Sequence, residues 1–207
     1  MRSHTKGDEP AILVASRDAW DLAFAADPSS STARYRYREE TIKTALLQET
    51  YDKCVYCESK LGHNTPGDVE HKIPTSADRT RHFDWSNLTI ACTECNRRKG
   101  PYDTLVNPFL DPYVDAVEDR VYHMGPVAYA VDGDEAAEVT VRKLELGKGR
   151  YQLAMRKIEK IDEISNLRAR IRDTPPGGLR DLLEADLAGR SRIEAEFSAM
   201  VRSLPWR

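Results

Sequence analysis

The chain has 207 residues, 40% of them apolar and 31% charged, with a formal net charge of −3. That length supports one sizeable core, or a small core with a helical extension. No stretch approaches the roughly 20 apolar residues of a membrane span, and residues 1–6 lead into no apolar signal region, so a soluble cytoplasmic protein is expected. The charge is uneven: residues 1–33 carry −2, residues 34–100 carry +2 and residues 101–207 carry −3.

Residues 1–53 read as a helical N-terminal segment. A polar leader precedes an amphipathic patch, Ala11-Ile12-Leu13-Val14 and Trp20-Asp21-Leu22-Ala23-Phe24. Asp27-Pro28-Ser29-Ser30-Ser31-Thr32 is a loop with helix-start chemistry, and a helix is predicted over residues 35–51 with Tyr35, Ile42, Leu46 and Leu47 near one stripe. Arg34, Arg36 and Arg38 make a basic cluster at its start. Two more clusters follow, Lys72, Arg79 and Arg81, then Arg97, Arg98 and Lys99. On one face they would neutralise several phosphates; scattered, they are solvated surface charges.

Residues 54–100 hold all four cysteines, as Cys54-x2-Cys57 and Cys92-x2-Cys95. Two such knuckles supply four thiolates to a closed tetrahedral Zn²⁺ site, which has no open position for substrate and acts as a staple. Two disulfides are the competing reading; paired thiolates fit a reducing compartment better. Between the knuckles a short strand is predicted over residues 68–73, ended by Pro74, and a second over residues 87–91. A helix then begins near Thr93 and ends by Gly100. So small a unit has little core of its own, so the metal contributes directly to its stability.

Residues 101–148 are a connector with short strands at Val121-Tyr122-His123-Met124 and Val127-Ala128-Tyr129-Ala130-Val131, a turn at Asp132-Gly133-Asp134, and a further strand at Val139-Thr140-Val141. Residues 149–207 read as a helical hairpin. Met155, Ile158, Ile161, Ile164, Leu167 and Ile171 recur at helical spacing, Thr174-Pro175-Pro176-Gly177-Gly178 breaks the pattern, and a second helix carries Leu179, Leu182, Leu183, Leu187, Ile193, Phe197 and Met200. The stripe is read as intramolecular core, with a homo-oligomer or partner seam as the alternative. The fold class is therefore α+β: a zinc-stapled core with a helical N-terminal segment and C-terminal strands plus a helical hairpin.

Val69-Glu70-His71, Trp85-Ser86-Asn87-Leu88 and Ala91-Cys92-Thr93-Glu94-Cys95-Asn96-Arg97-Arg98-Lys99-Gly100, in that order between two zinc knuckles, resemble the HNH endonucleases of the ββα-metal fold, in the variant with Asn in place of the last His. The resemblance covers residues 54–100. It implies phosphodiester hydrolysis of DNA, with His71 as general base, Asn87 orienting the loop beside it, and Glu70 and Asn96 holding one Mg²⁺ or Mn²⁺. Lys72, Arg79, Arg81, Arg97, Arg98 and Lys99 are the expected nucleic-acid contacts. The chemistry agrees: a neutral imidazole can take a proton from water near its unperturbed pKa, and Glu and Asn offer oxygen to a hard cation. Neighbours on a strand point to opposite faces, so Glu70 and His71 need a bulge or the strand's end to serve one centre.

The helix–knuckle–Val-Glu-His–Trp-Ser-Asn-Leu–helical-tail order is also similar to the HNH subunit of Septu-type and retron-linked anti-phage systems, which implies an ATPase partner docked on the 149–202 helices. That group carries an Arg-Pro-Lys-like run after the His, where this chain reads Lys72-Ile73-Pro74-Thr75-Ser76. The alternative to an enzyme is a zinc-stapled nucleic-acid-binding module with a silent site. Trp85 is read as a core plug, and His63, His82 and His123 as surface or packing residues.

Overall fold

A computed structural model describes residues 1–62 and 66–204; His63 lies outside the described residues. Helices combine with two small antiparallel sheets, an α+β architecture. Helix α1 (Ala11–Ala26) buries Leu13 and Phe24 on one face. The helix expected over 35–51 is interrupted. Ser30 caps a short α2 (Ser31–Arg34) by accepting from the Ala33 N–H, and a 3₁₀ turn covers Arg36–Arg38. Helix α3 (Glu40–Glu49) begins only there, because the Glu39 carboxylate accepts from the N–H groups of Thr41 and Ile42 and fixes the start. It lays Ile42 and Leu46 into the core, against the second strand of the first sheet.

That sheet pairs β1 (Asp68–His71) with β2 (Leu88–Ala91), Val69 opposite Ile90 and His71 opposite Leu88. Both strands carry helix α4 (Thr93–Lys99) on one side. Gly100 ends α4 at φ +53°, a left-handed conformation that favours glycine, and its N–H reaches Asn96 O at 2.9 Å. The strand–strand–helix order read from the sequence is therefore present.

Downstream, α5 (Val117–Arg120) leads into the hairpin of β3 (Val121–Met124) and β4 (Val127–Ala130). The strand expected at Val139-Thr140-Val141 is instead part of helix α6 (Glu135–Lys143). Asp134 caps this helix at the Ala137 N–H, Glu135 and Glu138 suit its first turn, and the Thr140 hydroxyl bonds Ala136 O. The cap and the tertiary setting outweigh the β-branched run.

Helix α7 (Tyr151–Asp173) and α8 (Gly178–Gly189) pack together, and the pairing of Arg190 with Glu163 runs α8 back along α7. The second helix of the expected hairpin stops at Gly189. Phe197, in a left-handed conformation (φ +56°), redirects the chain into α9 (Ser198–Ser203), which packs on β3. The apolar stripe is only partly core: Ile164 and Ile171 are buried, while Met155, Ile158, Leu179 and Leu182 are exposed. One hydrophobic cluster runs from Leu13 through Leu46, Ile90, Cys95 and Val121 to Met200, across all the boundaries drawn from the sequence. Among the described residues no helix is long and apolar enough to cross a membrane.

Candidate active site and metal centre

The four cysteines meet. Cys54 and Cys57 lie on a tight turn closed by the Cys54 N–H on Ser59 O, and Cys92 caps α4 while Cys95 sits in its first turn. Their sulfurs all lie within 4.8 Å of one another, with Cys57 Sγ and Cys92 Sγ 3.8 Å apart, and none forms a disulfide. A tetrahedron with Zn–S bonds of about 2.3 Å has edges of about 3.8 Å, so the spacing fits such an ion. Hydrogen bonds from the other three thiols hold Cys57 well below its ordinary pKa. Arg150, just ahead of α7, donates to Cys95 Sγ at 3.0 Å and approaches Cys92 Sγ at 3.9 Å, an outer cation against a charge-rich sulfur cluster.

Strand β1 presents two different faces. Toward α4 it turns Asp68 and Glu70. The Asn96 amide donates to Asp68 Oδ2 at 3.4 Å, and Lys99 Nζ lies 2.7 Å from Glu70 Oε1. Glu70 is 5% exposed, and burial pushes its carboxyl pKa up against the pull of Lys99. The Lys99 ammonium is the positive charge that Glu70 Oε1 meets. A hard cation on the oxygens of Glu70, Asp68 and Asn96, which share one face, would have to displace it.

His71 is on the other face. Its ring meets Tyr37 edge-on at 4.6 Å and stacks on His82 at 4.8 Å. Nε2 donates to His82 O at 2.9 Å, which places the hydrogen on Nε2 and leaves the lone pair on Nδ1. Burial lowers its pKa to about 4, so the imidazole is neutral at physiological pH. His82 is itself buried: its Nε2 donates to Arg34 O at 2.7 Å, the Thr75 hydroxyl donates to its Nδ1, and Phe24 stacks on it at 4.1 Å. No bulge brings Glu70 and His71 to one side; the ladder is regular and the strand simply ends at His71.

Asn87 holds the loop that follows. Its Oδ1 accepts from the Ile73 N–H at 2.8 Å, and its Nδ2 donates to Ile73 O and Arg81 O, both at 3.0 Å. The expected cationic contacts fare differently. Lys99 is 1% exposed and donates to His71 O at 2.7 Å, so it is an internal strut rather than a surface contact. Lys72 pairs with Asp111, Arg81 with Asp84, Arg97 with Glu94, and Arg98 with Glu94 and Glu145. Arg79 is exposed. Trp85 is buried with its Nε1–H on Gly7 O, and His123 is buried on β3. Sequence reasoning missed Asp68, which strand alternation from Glu70 could have found, and Tyr37 and His82, which no local pattern marks.

A family model described as HNH endonuclease matches residues 54–101. The chain is 34% identical over 109 residues, 52% of its length, to Septu protein PtuB of Bacillus thuringiensis, and 30% identical over 74 residues to Septu protein PtuB of Bacillus mycoides (strain KBAB4). These matches span 41% and 25% of the relatives' own lengths, less than half in each case. The matched segment, residues 54–101, is the one that holds the two knuckles closed on each other, strand β1 ending at His71 and helix α4 carrying Asn96, and it is this segment that the comparison assigns to the HNH endonucleases.

Proposed function

We propose that the chain is a divalent-cation-dependent DNA endonuclease of anti-phage defence, working in the cytoplasm beside an ATPase subunit. The observation that carries the hydrolytic reading is His71: neutral, fixed as the Nε2–H tautomer by His82 O, and left with a free Nδ1. The Septu relatives support the biological setting, in line with the motif order read from the sequence.

In this reading Nδ1 of His71 takes the proton of the attacking water, while the Nε2–H···O=C bond keeps the ring aimed. Asn87 holds the 73–81 loop, and with it the His82 carbonyl, in register. Glu70 and Asn96 would hold one Mg²⁺ or Mn²⁺, with Asp68 alongside, and because His71 lies on the other face of β1, base and cation would have to meet the phosphate where the strand ends at His71. Such an ion offsets charge on the phosphoryl and leaving oxygens. Zn²⁺ in the cysteine cluster is structural, and a reducing compartment keeps its thiols available. Lys99 favours a second reading, a silent binding module, because it already neutralises Glu70.

The test is plasmid nicking by zinc-loaded protein freed of Mg²⁺ and Mn²⁺, with either ion then restored, beside His71→Ala. Cation-dependent cutting that vanishes in the variant supports the hydrolase. Cutting that survives it rules out His71 as the base, and no cutting by either protein, with the ATPase partner supplied, favours the silent module.

A further inference from the structure

Of the basic side chains expected to grip nucleic acid, Lys99 is buried on Glu70, and Lys72, Arg81, Arg97 and Arg98 are each paired with a carboxylate of the chain nearer the surface. A second set beside His71 is not. Arg34, Arg36 and Arg38 stand on the α2 end and the 3₁₀ turn that follows, and among the described residues none of the three forms an ion pair. Their close partners are aromatic: Arg38 lies over the Tyr35 ring at 4.2 Å, Arg34 is 5.8 Å from the same ring, and Arg36 is 6.0 Å from Trp20. The nearest acidic neighbour in sequence, Glu39, turns its carboxylate onto the N-terminus of α3. A guanidinium on an aromatic face is held in place yet keeps its N–H groups free for phosphate.

This strip is also tied rigidly to the base. Tyr37, between Arg36 and Arg38, is buried edge-on against His71, and the backbone carbonyl of Arg34 receives the His82 Nε2–H. The segment that carries the three cations therefore packs on the His71 side of β1, opposite the face given to Lys99 and Glu70, with Arg34 and Arg38 exposed and Arg36 half-buried.

We infer that Arg34, Arg36 and Arg38 form the DNA-backbone cradle of this site, gripping phosphates on one flank of the cut strand without reading sequence. The assignment rests on the nuclease reading above for its location. It replaces the α4 cations as the main electrostatic grip. Each arginine that neutralises a phosphate releases counterions, so its removal weakens binding and flattens the salt dependence.

The experiment is fluorescence anisotropy with a short labelled DNA duplex in buffer without divalent cations, across a monovalent salt series. The parent is His71→Ala, which binds without cutting. Adding Arg34→Ala, Arg36→Ala and Arg38→Ala should raise Kd about tenfold or more at low salt and lower the salt slope by about two to three. A charge-matched triple on the C-terminal hairpin, Arg170→Ala, Arg172→Ala and Arg180→Ala, should stay within about twofold. Unchanged circular dichroism in the strip variant separates lost grip from lost fold, and a single Arg34→Ala change should give an intermediate effect if the fold yields. Equal binding by the strip triple and its parent, equal loss in the hairpin triple, or no binding by the parent would overturn the cradle. Binding lost in the strip triple while the His71-intact chain never cuts would leave the cradle standing and remove the hydrolase.

Discussion

Single side chains around His71 carry unequal loads. Asn87 is 1% exposed and satisfies three backbone groups of the 73–81 loop, so Asn87→Ala strands an N–H and two carbonyls in the interior. We expect a loss of about 2–3 kcal/mol in urea unfolding, together with loss of nicking, because the His82 carbonyl moves with that loop. Lys99 offers a sharper experiment. It is the sole ion-pair partner of the buried Glu70 among the described residues, and breaking a buried pair from one side costs about 3–5 kcal/mol. Lys99→Met should therefore lower the melting temperature in magnesium-free buffer that leaves the zinc in place, and recover part of it when Mg²⁺ is added, since the cation then supplies the missing positive charge. No recovery with Mg²⁺ would count against Glu70 as a cation ligand.

Among the elements, α4 depends most on something other than its own residues. Seven residues are too few for a helix to persist in water, and α4 is held by the cysteine cluster at its start and Gly100 at its end. Structural zinc sites are worth on the order of 10 kcal/mol, comparable with the whole stability of a domain. A strong chelator, or Cys95→Ser, should therefore abolish cooperative melting of the β1–β2–α4 unit, followed by circular dichroism. Arg150→Ala leaves the four ligands intact but removes the outer cation from Cys95 and Cys92. We expect metal release to a colorimetric chelator to become about ten- to a hundredfold easier. These elements were readable in the sequence because their signals are local: cysteine spacing, an alternating strand before Pro74, a helix closed by glycine. The elements misread were those settled by distant partners. Val139-Thr140-Val141 has strand-like residues but an Asp134 cap and a core that takes Val141 from a helix. The candidate site divides the same way. His71, Asn87 and Asn96 stand out by motif, whereas Tyr37, His82 and the inward turn of Lys99 follow from α2, the 3₁₀ turn and α4 folding over β1, contacts that sequence spacing does not encode.

At the scale of the molecule, the polar leader is a strap rather than a tail. His4 N–H bonds Pro112 O, Ser3 and Arg2 engage Glu118, and Lys6 reaches Glu49 and Leu88 O, so residues 2–6 join α3, β2 and the 110–118 connector. His4 under this strap and His123 under α9 are both buried, and burial holds their pKa values at about 4 and about 2, against an ordinary 6.5. Below pH 6.5 the unfolded chain binds protons that the folded chain refuses. Stability is therefore full above that pH and falls as acid is added, by about 1.4 kcal/mol per pH unit for each imidazole, down to pH 4 for His4. Between pH 7 and pH 5 these two and His71, whose pKa burial also lowers to about 4, should remove about 6 kcal/mol together. Glu58 does not blur this window, because its carboxyl, held at about 2 despite its burial by the Met1 ammonium and Lys53, loses its contribution only below the ordinary carboxylate range. Urea titrations at pH 7 and pH 5 measure the drop, and His123→Leu should cancel about a third of it. A midpoint indifferent to pH between 7 and 5 would mean that the strap and α9 open to water in solution.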